Sequence, residues 1–134
     1  MPPGQLDLLV GLEPLEALRR VGLTSSRTLV LLDRTPVEPA LARQTGYRVP
    51  PFAELRAGVA ALGARVVDLD MMAVAQARWG QAVLGNLVAL GWLAAADALP
   101  FPAGGLREAV ATTLGPKGMH DEAWALGGSL ASRV

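Results

Sequence analysis

Between Leu6 and Leu12 five of seven residues are large and aliphatic, and the run stops abruptly at Glu13-Pro14. Leu6, Leu8, Leu9, Val10 and Leu12 are interrupted only by Asp7 and Gly11. An apolar run this short, without clean alternation, fits a parallel strand covered on both faces. Pro14 then suits the first position of a helix, where its missing N–H costs nothing. Glu13 and Glu16 complement the positive end of that helix, and Glu16 stands four residues before Arg20, a supportive spacing. Strand, acidic turn and helix together form a unit that can present a site.

The same alternation continues along the chain. Thr28–Leu32 reads as a second buried strand, closed by Asp33-Arg34-Thr35-Pro36, and Arg65–Leu69 as a third. Phe52–Leu62 has apolar residues at spacings of three and four, with Gly63 where a helix-ending glycine belongs. Further helices are predicted over Met71–Trp79, Leu106–Leu114 and Asp121–Ser132. The longest, Gln81–Leu99, is apolar on nearly all sides, so it belongs in a core or against another subunit. Between Val37 and Pro51 four prolines border an irregular loop, with a short helix expected at Pro39–Gln44. The order β-α-β-loop-α-β-α-α-α-α predicts a three-layer α/β/α, Rossmann-like fold. Its small, mostly parallel sheet carries helices on both faces, in a single domain spanning residues 1–134. The two apolar faces of the first strand imply that it is not an edge. Either a partner or upstream chain is expected beside it, and this face or the Leu87–Ala96 helix is expected to be covered by another chain.

Composition narrows the chemistry. With 51% hydrophobic and 18% charged residues the chain is not disordered. Twelve basic and 12 acidic side chains cancel, which argues against nucleic acid as a partner. There is no cysteine, so thiolate metal sites, iron–sulfur ligation and a cysteine nucleophile are excluded, and one histidine cannot build a multi-histidine metal site. Met1-Pro2-Pro3-Gly4 has no basic signal-peptide start, and Leu87–Ala96 is too short to span a bilayer. A cytoplasmic chain with no membrane contact is expected.

Few side chains suggest a reaction. Gly80–Gly85 and Gly104-Gly105 do not follow a strand, so no dinucleotide-binding loop is present. Glu13 and Glu16, three apart, read either as a general acid/base pair or as helix-start electrostatics with an ion pair to Arg19 or Arg20. Asp33 reads either as a ligand contact at a strand's C-terminal end or as a turn residue satisfying its own backbone. Asp70 is expected to cap the next helix. Asn86, polar inside an apolar helix, must find partners, either in a nearby backbone or in a ligand. His120 has no nucleophile and acid to form a triad with. Tyr47 is a candidate binding aromatic in the proline-bordered loop. Trp79, Trp92 and Trp124 are core or interface residues.

Several stretches, in order, resemble one family. They are DLLVGLEPLEALR (Asp7–Arg19), VLLDRTPVEP (Val30–Pro39), GYRVPP (Gly46–Pro51), VVDLD, GNLVALGWLAA (Gly85–Ala95) and HDEAWALGG (His120–Gly128). The set resembles the gamma domain of 2-oxoacid:acceptor (ferredoxin) oxidoreductases, in particular the beta subunit of indolepyruvate ferredoxin oxidoreductase. The family's opening strand and glycine-rich turn have no counterpart here. The chain therefore corresponds to the C-terminal portion of a pyruvate/ketoisovalerate oxidoreductase gamma-type domain. A third reading is a truncated remnant whose start was lost or misassigned, and an in-frame Gly-x-Gly-Gly-x-Gly segment upstream of Met1 would decide for it. The family often carries asparagine where Asp33 stands, asparagine near His120 and phenylalanine at Trp124.

The resemblance implies a subunit, or part of one, of an enzyme that oxidatively decarboxylates 2-oxoacids such as indolepyruvate to acyl-CoA. Thiamine diphosphate, CoA and iron–sulfur clusters are expected in the wider complex, with none held by this chain alone. The chain would supply assembly or substrate- and CoA-side surface rather than redox centres or catalytic residues. Glu13, Glu16, Asp33, Tyr47 and Asn86 are the candidate substrate-binding or interface residues. The implied partners are the thiamine-diphosphate-binding subunit or a second copy of the chain. The alternative is a non-enzymatic small-ligand or oligomerisation module that keeps the gamma-domain fold.

Overall fold

The computed structural model describes residues 2–35, 46, 48–115 and 118–132, and they form two compact units, Met1–Asp70 and Met71–Val134. The first contains β1 (Leu8–Gly11), α1 (Pro14–Arg19), β2 (Leu29–Asp33), α2 (Phe52–Ala60) and β3 (Arg65–Leu69). The second contains α3 (Met71–Trp79), α4 (Gly85–Ala95), α5 (Ala103–Leu114) and α6 (Gly118–Ala131). Single 3₁₀ turns occupy Val21–Leu23 and Ala82–Leu84. Among the described residues, three parallel strands in one sheet and six helices make this the Rossmann-like α/β class that the alternation predicts. The expected helix at Pro39–Gln44 lies outside the described residues.

The sheet order is β1-β2-β3, both pairs parallel, with Leu9 opposite Val30 and Val30 opposite Val66. β2 is therefore central, and Val30, Leu31, Leu32 and Asp33 are all buried. One sheet face packs Val30 and Leu32 against Ala17 of α1, Val59 of α2 and Ala64, with Leu9, Leu18, Phe52 and Val66 around them. Gly11 permits this closeness. A Cβ there would stand 2.7 Å from Ala17 Cβ and 2.9 Å from Leu32 Cδ1.

Among the described residues β1 lies at the sheet edge and pairs with β2 alone, Leu8 and Leu9 are half-buried, and Val10 is exposed. The strand expected beside it is therefore not supplied by these residues. Aliphatic content reports on the two sheet faces, whereas pairing is a matter of backbone groups in the sheet plane, which side chains do not encode.

The second unit is built on a close helix crossing. Leu87, Val88, Ala89, Gly91, Trp92 and Leu93 of α4 are buried, and α6 packs directly on that helix. A Cβ at Gly127 would stand 2.7 Å from the Trp92 nitrogen, and one at Gly91 2.9 Å from the Trp124 carbonyl carbon. The two backbones thus touch at paired glycines. The predicted Gln81–Leu99 helix is also corrected. It begins with the 3₁₀ turn and ends at Ala95, because Asp97 takes φ +50° and the Ala98 N–H returns to the Leu93 carbonyl at 3.0 Å. That six-to-one closure is a Schellman stop, with aspartate where glycine is usual, so sequence gave little warning of it. The longest helix is instead α6, at 14 residues. Elsewhere Gly63 and Gly80 hold φ +85° and +67° just beyond α2 and α3, as helix-ending glycines should.

Candidate functional site

Because the three strands run parallel, their C-terminal ends open on one side of the first unit, where ligands gather in open α/β sheets. All three ends are acidic: Glu13 after β1, Asp33 closing β2, and Asp68 and Asp70 at the end of β3. Beside β1 lies a pocket of about 300 Å³, lined by Leu9, Val10, Leu12, Glu13, Glu16 and Arg20, among others. Glu13 and Glu16 therefore line the same pocket.

Their hydrogen bonds decide between the two readings of the pair. Glu13 is the N-cap of α1: Oε1 accepts from the Leu15 N–H at 3.1 Å and Oε2 from the Glu16 N–H at 2.8 Å. Both oxygens serve backbone donors that the helix start leaves unpaired. Glu16 is exposed and ion-paired to Arg19 rather than to Arg20. The helix-start reading fits this geometry, and Glu13, Glu16 and Arg20 supply the charged part of a lining otherwise formed by Leu9, Val10, Gly11, Leu12 and Ala17.

Asp33 is fully buried, and its Oδ1 accepts from the Thr35 N–H at 2.8 Å, the local turn bond its position favours. It does not line the pocket of Glu13 and Glu16. One residue on, Arg34 reaches across to β3. Its Nε donates to Asp68 Oδ2 at 2.6 Å and its Nη1 to Asp70 Oδ2 at 3.1 Å. Arg56 of α2 donates from Nε to Asp68 Oδ1 at 2.6 Å and from Nη2 to the Val66 carbonyl at 3.3 Å. Asp68 is thus clamped between two guanidinium groups. Asp70 directly precedes α3, as its expected capping role requires, and its observed bond is to Arg34.

The clamp has an electrostatic signature. Burial pushes the Asp68 carboxyl toward its neutral form, but the hydrogen bonds from Arg56 and Arg34 together outweigh it and hold the group below its ordinary value. Hydrogen bonding to Asp68 likewise raises the Arg34 guanidinium, which matters only in strong alkali. A depressed carboxylate contributes stability that is present above its unfolded value of 3.8 and is lost as pH falls through the lower native value. Asp68→Asn is expected to cost about 1–2 kcal/mol at pH 7. The figure is kept low because the Arg34 and Arg56 side chains are 46% and 43% exposed. Urea titrations at pH 7 and pH 3 check this, since the gap between variant and wild type must narrow at the lower pH.

The remaining candidates lie elsewhere. Tyr47 is outside the described residues. Asn86 belongs to the second unit, where it lines a cavity of about 420 Å³ bounded by the Ala82–Leu84 turn, α4, α5 and His120 of α6. Asn86 Oδ1 and His120 Nδ1 are buried there with no hydrogen-bond partner among the described residues. Sequence reasoning missed Arg34 and Arg56 because their shared partner is set by strand register. It also passed over His120, whose one signal was being the sole histidine. Among the described residues no three His, Asp or Glu side chains come together to hold a metal, and no helix is long and apolar enough to cross a membrane.

Fold and site together define a small parallel α/β protein with an open sheet edge and an acidic rim at its strand ends. The chain is similar to the indolepyruvate oxidoreductase subunit IorB of Archaeoglobus fulgidus, with 26% identity over 117 residues. The match covers 87% of this chain and 58% of that subunit, so the chain spans little more than half the length of the curated relative. No family model matches the chain. No solved structure matches it either.

Proposed function

We propose that this chain is a subunit, or part of one, of an oxidoreductase acting on 2-oxoacids such as indolepyruvate, and that it supplies assembly or substrate-side surface. The observation that carries the reading is the alignment with IorB across 87% of the chain. The outer edge of β1 supports it, because a strand edge with no neighbour among the described residues and half-buried aliphatic side chains is a natural place for another chain. The residues present do not fit the enzyme's cofactors. There is no cysteine to ligate an iron–sulfur cluster and no glycine-rich loop after a strand to cradle a diphosphate. On this reading thiamine diphosphate and the clusters would be held by partner subunits.

Co-expression with a large thiamine-diphosphate-binding subunit of a 2-oxoacid oxidoreductase tests this. Co-purification is expected, with 2-oxoacid-dependent dye reduction that falls when this chain is omitted. Equal dye reduction without it would sink the reading. A second measurement addresses the edge. Val10→Lys, at an exposed position, should change the stability of the isolated chain by no more than about 0.5 kcal/mol. The same change should abolish co-purification by placing a charge in the docked edge. Co-purification that survives it would move the interface off β1.

A further inference from the structure

We infer that the cavity between α4 and α5 is a binding site for a neutral aromatic amide or azole, a small molecule with a flat apolar body and one hydrogen-bonding edge. The inference concerns the second unit alone and does not rest on the oxidoreductase reading. Three observations carry it. The first is size. At about 420 Å³ the cavity falls in the range of small-molecule sites and exceeds the roughly 150 Å³ that encloses a benzene.

The second is the lining. Leu84, Leu87, Leu90, Val110 and Leu114 form the apolar walls, and no Asp, Glu, Lys or Arg takes part. A ligand with a formal charge would give up its hydration without an acidic, lysine or arginine partner in the wall. An aromatic body of similar polarity would displace water at little cost.

The third is the placement of two unmet polar atoms. Asn86 Oδ1 is an acceptor, so it calls for an N–H from the ligand. His120 Nδ1 either donates or accepts according to its tautomer. A group that carries an N–H beside an acceptor, as an amide or an azole does, offers the complements of both atoms. Asn86 is the second residue of α4, in its first turn.

Protein-observed NMR on the full chain tests the site, with benzamide and indazole as probes and benzoate as their charged counterpart. Saturable binding with a Kd of about 1 mM or tighter is expected for the neutral probes. Their shift changes should centre on residues 83–90, 109–114 and His120. Benzoate should bind more weakly. Asn86→Leu should weaken the neutral probes by about fivefold, the worth of one hydrogen bond. Val110→Trp, at a half-buried wall position, should abolish saturable binding by filling the cavity, and it keeps the test alive if the first variant folds poorly. Three results would overturn the assignment: no saturable shifts, so that the cavity holds water only; benzoate binding as tightly as benzamide; or unchanged affinity in Val110→Trp.

Discussion

Gly127→Ala is expected to lower the stability of the second unit by about 3 kcal/mol, at the upper end of overpacking costs. The added methyl would lie inside contact distance of the Val88 carbonyl and 2.7 Å from the Trp92 nitrogen. Both are backbone atoms of α4, so no side chain can rotate out of the way. Relief requires α4 and α6 to separate, which would loosen Val88, Trp92 and Leu93, each buried to within 1%. Alanine's better helix propensity returns about 1 kcal/mol at most. Gly91→Ala should behave alike, since its Cβ would enter the Trp124 backbone. Gly105→Ala is the control. That glycine lies in α5 with open space around its Cβ position, so the change should stabilise by about 0.5–1 kcal/mol. Thermal unfolding reads the contrast, with a drop in Tm of about 10 °C for Gly127→Ala and a small rise for Gly105→Ala. Equal behaviour of the two would mean that the helices do not cross at Gly127.

Leu32→Ala is expected to cost the first unit about 3 kcal/mol. Leu32 is fully buried in the central strand, and its side chain fills the space over Gly11 and beside Ala17. Neighbours on two helices hold the cavity open, which keeps the cost near the middle of the usual range. The close approach to Gly11 makes a sharper test. Gly11→Ala alone should destabilise, because its methyl would meet Leu32 Cδ1 at 2.9 Å and Ala17 Cβ at 2.7 Å. Leu32→Ala removes the first of these obstacles and leaves the second. The double variant should therefore lose less stability than the two single changes added together, by about 1 kcal/mol. Strict additivity in urea unfolding would show that the two side chains do not touch.

Much of the element order was legible because its signals are local. The apolar run after Leu6, the proline at the first helical position and the glycines after α2 and α3 each act within a few residues. Glu13 is the clearest case: a carboxylate one residue before Pro14 has two unpaired backbone N–H groups within reach, whatever the rest of the chain does. The site was legible only in part. Glu13 and Glu16 do meet in one pocket, whereas Asp33 turns back on its own backbone and Asn86 lies in the other unit. Nothing in the residues around Asp68 announces two arginines, because Arg34 is 34 positions away and Arg56 is 12.

What the sequence by itself determined is the succession of strands and helices, the capped start of α1 and the absence of any cysteine chemistry. Those follow from side-chain type, local periodicity and backbone groups a turn apart. Only the tertiary structure decided that β1 lies at an edge, that Asp68 sits between Arg34 and Arg56, that α4 and α6 touch at glycines, and that Asn86 and His120 face one cavity. Each of these depends on strand register or helix crossing, which bring together residues far apart in the chain. The energies that choose among such arrangements belong to the packed whole and to no single stretch of it.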